Sequence, residues 1–111
     1  MTIAALQASL LSMTGYQSDL QVALSKISNE RTIVAYQASL LGEQLSQTDP
    51  DVNISNNAQY QALQWKDRQL ELKQKTLETQ TKAVEQQITS TQKAIDSNIG
   101  KDFKIGFQAN G

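Results

Sequence analysis

The chain has 111 residues, ten Lys and Arg, eleven Asp and Glu, and neither His nor Cys, so its length fits one small domain. Because it lacks imidazole bases, thiolate nucleophiles, disulfides and the usual zinc ligands, we predict that it is not an enzyme and binds no cofactor or metal. Its net charge of −1 and the lack of a basic run predict that it binds no nucleic acid.

The beginning of the chain is uncharged. Residues 1–18 carry no charged side chain, and Asp19 is the first. They lack the basic region and the continuous apolar core of a cleaved signal peptide, so we expect no signal cleavage. An uncharged stretch rich in Ser, Thr and Gln is typical of substrates that are exported without a signal peptide. No run of about 20 apolar residues occurs, so we predict no membrane span.

Apolar residues at alternating steps of three and four predict a first helix over 2–45. These seam residues are Ile3, Leu6, Leu10, Met13, Leu20, Leu24, Ile27, Val34, Ala38, Leu41 and Leu45. Only Gln17 and Arg31 interrupt the seam, and no Pro lies within it. The period is that of a helix which packs along one side against a partner helix.

Residues 46–56 are the only break in this periodicity. Asp49, Pro50 and Asp51 favour a turn, and the Asn and Ser residues that follow offer N-caps for a second helix. Two helices of similar length that are joined by so short a turn pack antiparallel. The predicted fold class is therefore all-α, a long, coiled-coil-like antiparallel helical hairpin that forms a single domain over 1–111.

The second helix is predicted over 57–99. Its apolar seam residues are Leu63, Leu70, Leu77, Val84, Ile88 and Ile95, and its polar ones are Asp67, Gln74 and Thr81. Gly100 stands where a glycine would end the helix, which leaves 100–111 as a tail. Glu71 with Lys75 and Glu78 with Lys82 are spaced as i,i+4 pairs. They predict either a solvated, self-stabilised face or ion pairs between subunits.

Polar residues within the seam predict the register of the hairpin. The antiparallel alignment that we favour places Gln17 beside Thr91, and Arg31 beside Leu77 within reach of Glu78. Such polar pairs fix the register at some cost in stability.

Further apolar residues lie outside the seam and predict self-association. On the first helix three of them recur every eleven residues, which keeps each within about 20° of the last. A two-helix hairpin has one inner face, so apolar residues elsewhere are exposed unless another chain covers them. The predicted self-assembly interface is Leu11, Val22, Ile33, Leu40, Tyr60, Trp65, Leu72, Ile99, Phe103 and Phe107. Two alternatives are that the first-helix residues are scattered surface residues of a dimeric bundle and that Trp65 covers the turn.

Parts of the chain resemble known bacterial families. Five segments are together similar to type III secretion needle subunits, which are helical hairpins that polymerise into hollow filaments. These segments are Thr48-Asp49-Pro50-Asp51, Ala58-Gln59-Tyr60-Gln61-Ala62-Leu63, Ala83-Val84, Ala94-Ile95-Asp96-Ser97-Asn98-Ile99 and Phe103. Two segments of the first helix resemble the terminal helix of flagellin and related axial proteins. They are Ala8-Ser9-Leu10-Leu11-Ser12 and Ala23-Leu24-Ser25-Lys26-Ile27-Ser28. The chain differs from needle subunits in its greater length, its single Pro and the tail after Phe103.

The resemblance implies a structural subunit that self-assembles into a helical filament. It implies an extracellular or cell-surface location reached by signal-peptide-independent export, with a type III or flagellar-like secretion apparatus or a chaperone as a further partner. One alternative is a soluble coiled-coil adaptor or export chaperone in the cytoplasm that closes into a dimer or tetramer. Another is a small secreted hairpin of the Trp-Xaa-Gly type, although the turn lacks that motif.

Overall fold

The computed structural model describes residues 2–110 and the side chains of 2–101. The chain is an all-α helical hairpin, as predicted. Helix α1 (Ile3–Thr48) and helix α2 (Ala58–Asn110) pack against each other. A turn that contains a short 3₁₀ helix, Ile54–Asn56, joins them, and the described residues include no strand.

Both helices are longer than the sequence predicts. α1 extends beyond residue 45 to Thr48, whose Oγ1 donates a hydrogen bond to the carbonyl of Gln44 at 3.0 Å. The predicted end of the second helix at residue 99, with a tail over 100–111, is wrong because α2 continues through Gly100 to Asn110. A glycine that ends a helix adopts a positive φ, which none of the described glycines does. No Pro follows Gly100, so the helix continues at a propensity cost of about 1 kcal/mol.

The hairpin divides into two units, each with helical segments from both ends of the sequence. The terminal unit comprises Met1–Gln21 and Thr79–Gly111, and the turn unit comprises Val22–Glu78.

The core of the terminal unit is apolar. Its buried side chains are Leu6, Leu20, Val84 and Ile95. The other predicted apolar seam residues of this unit are half-buried, namely Ile3, Leu10, Met13 and Ile88. The predicted seam is therefore confirmed in this unit.

The core of the turn unit centres on Val34 and Leu70, both buried. The remaining apolar seam residues here are half-buried, namely Leu24, Ile27, Ala38, Leu41, Leu45, Leu63 and Leu77. The polar seam residues Arg31, Asp67 and Gln74 are also half-buried. The predicted seam thus holds here too, with polar side chains in the middle of the unit.

The turn uses the local chemistry that its sequence predicts. The backbone N–H of Val52 donates to the carbonyl of Asp49 at 3.1 Å, which closes a β-turn around Pro50. The Asp49 carboxylate accepts a hydrogen bond from the N–H of Asp51 at 3.1 Å. Asn57 caps α2, because its Oδ1 accepts a hydrogen bond from the N–H of Tyr60 at 3.0 Å.

Candidate functional site

The α1 outer face, which we define as Val22, Ile33, Tyr36 and Leu40 of the turn unit, is exposed. Val22 is 63% exposed, Ile33 56% and Tyr36 65%. At about 100° per residue these side chains lie on the side of α1 opposite its seam. Three of the four were predicted as interface residues. Tyr36 was missed, although its position three residues after Ile33 places it on the same side of the helix.

The α2 outer face, which we define as Trp65 and Leu72 of the turn unit, is also exposed. Trp65 is 61% exposed and Leu72 59%. They are one heptad apart and lie opposite the α2 seam. Trp65 therefore does not cover the turn. Tyr60, predicted as a further interface residue, is half-buried beside the N-cap of α2.

The turn unit consequently has two apolar faces that point away from each other. Each lies on the far side of its helix from the seam, and the seams of the two helices face each other. An exposed apolar face on both sides of a hairpin is unusual for a chain that stays alone in water.

The terminal unit also exposes apolar side chains. Leu11 is 77% exposed, and Tyr16 and Ile99 are about half exposed. Leu11 and Ile99 were predicted as interface residues. Phe103 and Phe107, the last two on that prediction, have side chains outside the described residues.

A polar cluster lies at the centre of the turn unit. The Nε of Arg31 donates to Oδ1 of Asp67 at 2.9 Å, and its second terminal nitrogen donates to Oδ2 at 3.2 Å. The first terminal nitrogen donates to Oε1 of Gln74 at 2.9 Å. The hydrogen bond from Arg31 lowers the pKa of Asp67, and the same bond raises the pKa of Arg31. Both side chains are about one third exposed, so solvent screens the pair.

These partners correct the predicted register. Arg31 was placed beside Leu77 within reach of Glu78, but Asp67 and Gln74 both precede Leu77, and their midpoint lies about one heptad before it. A shift of one heptad keeps every apolar seam residue in the seam, so the apolar pattern does not select between the two alignments. The polar residues distinguish the two alignments, because the observed one places Arg31 between the carboxylate of Asp67 and the amide of Gln74, whereas the predicted one would place it between Gln74 and Thr81 with Glu78 within reach. Glu78 is exposed and accepts a weak hydrogen bond from Gln74.

The other predicted polar pair, Gln17 with Thr91, lies in the terminal unit. Both side chains are half-buried, as expected for seam positions. Thr91 lines a shallow groove together with Ser9 and Met13. The predicted contact between Gln17 and Thr91 follows from the same alignment that the partners of Arg31 correct, and among the described residues these two side chains form no hydrogen bond with each other.

The described residues offer little chemistry beyond contact. Within residues 2–101 no group of three or more acidic side chains is placed to hold a metal ion. A groove of about 760 Å³ runs beside the polar cluster of the turn unit, lined by Val34, Ala38 and Leu63 among others, and it is open to solvent. None of the described helices is both long and apolar enough to cross a membrane. The outer faces are therefore the strongest candidate site.

Comparison with known proteins adds no further constraint. No family model, no curated protein and no solved structure matches this chain. The exposed surfaces of the hairpin are therefore the features from which a function can be proposed.

Proposed function

We propose that the chain is a structural subunit that self-assembles into an open-ended helical polymer, with further copies of itself as the main partner. The observation that supports this most directly is the pair of apolar outer faces on opposite sides of the turn unit. A large apolar side chain gains roughly 1.5–3 kcal/mol when it is fully buried, so these faces favour contact with another chain.

The arrangement of the faces favours open growth over a closed dimer. A two-fold dimer buries the same patch on both copies, which would cover one outer face and leave the other in water. A contact between the α1 outer face of one copy and a different face of the next leaves a free face at each end, and growth continues. The closed adaptor or chaperone therefore ranks second.

The biological setting of the proposal rests on the family resemblance. A filament subunit of the needle or flagellin kind would act outside the cell or at its surface, after export by a type III or flagellar-like apparatus. A secretion apparatus or an export chaperone would then be a transient second partner.

The proposal is tested by particle size against concentration, using sedimentation velocity and negative-stain images of the same samples. We expect continuous growth into uniform filaments. V22D/I33D places two charges on the α1 outer face, and it should raise the concentration needed for assembly by at least about tenfold, because burial of an unpaired charge is costly.

A matched control distinguishes the effect of changing the α1 outer face from the effect of adding negative charge anywhere on α1. Q21D/A35D also adds two negative charges to exposed positions of α1, but they lie about 100° and 140° around the helix from Val22, and neither is three or four residues from an outer-face residue. The control should assemble like the native chain, and circular dichroism should show all three proteins helical. A fixed dimer or tetramer at every concentration would contradict the polymer and favour the adaptor, and a monomer throughout would contradict both.

A further inference from the structure

The α2 outer face is bordered by positive charges. Lys66 and Lys73 lie on one side of the line from Trp65 to Leu72, and Arg68 lies on the other. All three cations are exposed. Asp67 lies in the seam and pairs with Arg31, and Glu71, which lies about as far around α2 from Leu72 as Lys73 does, is paired with Lys75. Glu78 lies about 120° around the helix from Leu72.

The α1 outer face is bordered by negative charges over its C-terminal part. Glu30 and Glu43 flank the segment from Ile33 to Leu40, one on each side, and both are exposed. The one cation on this side of α1, Lys26, lies between Val22 and Glu30, about one helical turn from each. Among the described residues, neither Glu30 nor Glu43 forms an ion pair within the chain.

The two faces also match in spacing. Ile33 and Leu40 are seven residues apart, as are Trp65 and Leu72. Each pair spans two helical turns, or roughly 10 Å. A helix face with apolar side chains at this spacing packs against another of the same spacing, as in a coiled coil.

From this complementarity we propose that the α1 outer face of one copy binds the α2 outer face of the next copy. The apolar segments Ile33–Leu40 and Trp65–Leu72 meet at the centre, and Glu30 and Glu43 meet the cations that border α2. The contact is heterologous, so each copy uses both faces. This inference rests on the proposed self-assembly and specifies which surfaces carry it.

A second copy explains the surfaces better than an anionic membrane does. A membrane surface would attract Lys66, Arg68 and Lys73 and accept Trp65. It would leave the α1 outer face uncovered, and the acidic border of that face would be repelled. A second copy covers both faces and pairs both borders.

Charge reversal tests the pairing. E30K/E43K makes the α1 border basic, and K66E/R68E/K73E makes both sides of the α2 border acidic. We expect each variant alone to need at least about tenfold more protein to assemble, because like charges then meet across the contact. E30K/E43K/K66E/R68E/K73E exchanges the signs of the two borders within one chain, and it should recover assembly to within about threefold of the native chain.

A further variant excludes an effect of net charge alone. E30K/E43K/K82E/K101E has the native net charge, but both borders in its turn unit are basic, and Lys82 and Lys101 belong to the terminal unit. It should remain as defective as E30K/E43K. Recovery by this variant, or failure of the exchanged variant to recover while remaining helical, would overturn the pairing and leave self-assembly intact.

The native chain distinguishes the remaining outcomes. If it stays monomeric at every concentration, both the pairing and the proposed function are wrong. Binding of the monomer to vesicles of anionic phospholipid, followed by the fluorescence of Trp65, would then identify a membrane surface as the ligand of the α2 face. No such binding by assembled protein is expected, because assembly buries Trp65.

Discussion

The terminal unit and the turn unit share one seam pattern but are stabilised in different ways. Among the side chains that the structure describes, the terminal unit buries four apolar ones, Leu6, Leu20, Val84 and Ile95. The turn unit buries two, Val34 and Leu70, and places the polar cluster of Arg31 beside them. Apolar layers stabilise a hairpin without specifying its alignment, whereas a polar cluster adds little stability but changes its partners with the register.

The largest effect is expected from the core of the terminal unit. Leu20 is 5% exposed, so Leu20→Ala should lower the free energy of unfolding by about 2–5 kcal/mol through lost burial and a residual cavity. Urea unfolding followed by circular dichroism, at a protein concentration below that of assembly, measures the change.

Leu11 is the matched control for Leu20, since it is the same residue type in the same helix and unit but is exposed. Leu11→Ala should change the free energy of unfolding by no more than about 0.5 kcal/mol. Equal effects of the two substitutions would contradict the assignment of Leu20 to the core and Leu11 to the surface.

A smaller effect, of opposite sign, is expected at Gly15 of the terminal unit. A Cβ built there meets nothing within 4 Å, so Gly15→Ala should raise the free energy of unfolding by up to about 1 kcal/mol through helix propensity alone. In the turn unit a Cβ at Gly42 would meet Cδ1 of Ile54 at 3.7 Å, an ordinary contact, and Gly42→Ala should stabilise similarly. A loss of stability at Gly15, measured by thermal unfolding, would show that this side of α1 is not open.

Most of the fold is predictable from the sequence because it depends on a repeated signal. Every apolar seam residue predicted for α1 is buried or half-buried, and so is each one predicted for α2. The exposed residues follow from the same arithmetic, since Val22, Ile33 and Leu72 cannot reach a seam on the other side of their helix. The buried and the exposed apolar residues can therefore both be predicted from the period of the apolar pattern alone.

The register and the end of α2 are harder to predict because each depends on a comparison of nearly equal alternatives. Alignments one heptad apart bury the same kinds of side chain, and they differ in whether Arg31 meets Asp67 and Gln74 or the region of Leu77. The polar seam residues of α2 recur every seven residues, so both alignments give Arg31 polar neighbours. The alignments differ in whether its charge meets Asp67 within the seam or Glu78 at the edge of the seam. Gly100 is compatible both with a helix end and with a helix interior, and only its φ distinguishes the two.

The smallest effect is expected from the polar cluster, and it should depend on pH. Asp67→Asn removes the charge that Arg31 binds. At neutral pH the variant should be less stable than the native chain, but by less than the Leu20 variant, because solvent screens a pair that is one third exposed. Thermal unfolding of both proteins from pH 7 to pH 2 measures the difference.

The direction of the pH effect follows from the lowered pKa of Asp67. Its carboxylate holds a proton less tightly in the folded chain than its ordinary pKa of 3.8 implies, because Arg31 hydrogen-bonds the charged form. Its contribution is therefore complete above pH 3.8 and is lost as the pH falls through the lowered pKa, so the two proteins should converge in acid. In an Arg31→Gln background, Asp67→Asn should no longer produce this convergence. If the pH-dependent difference in stability persists without Arg31, another neighbour lowers the pKa of Asp67. The pair of Arg31 and Asp67 would then not explain the alignment of the two helices in the turn unit.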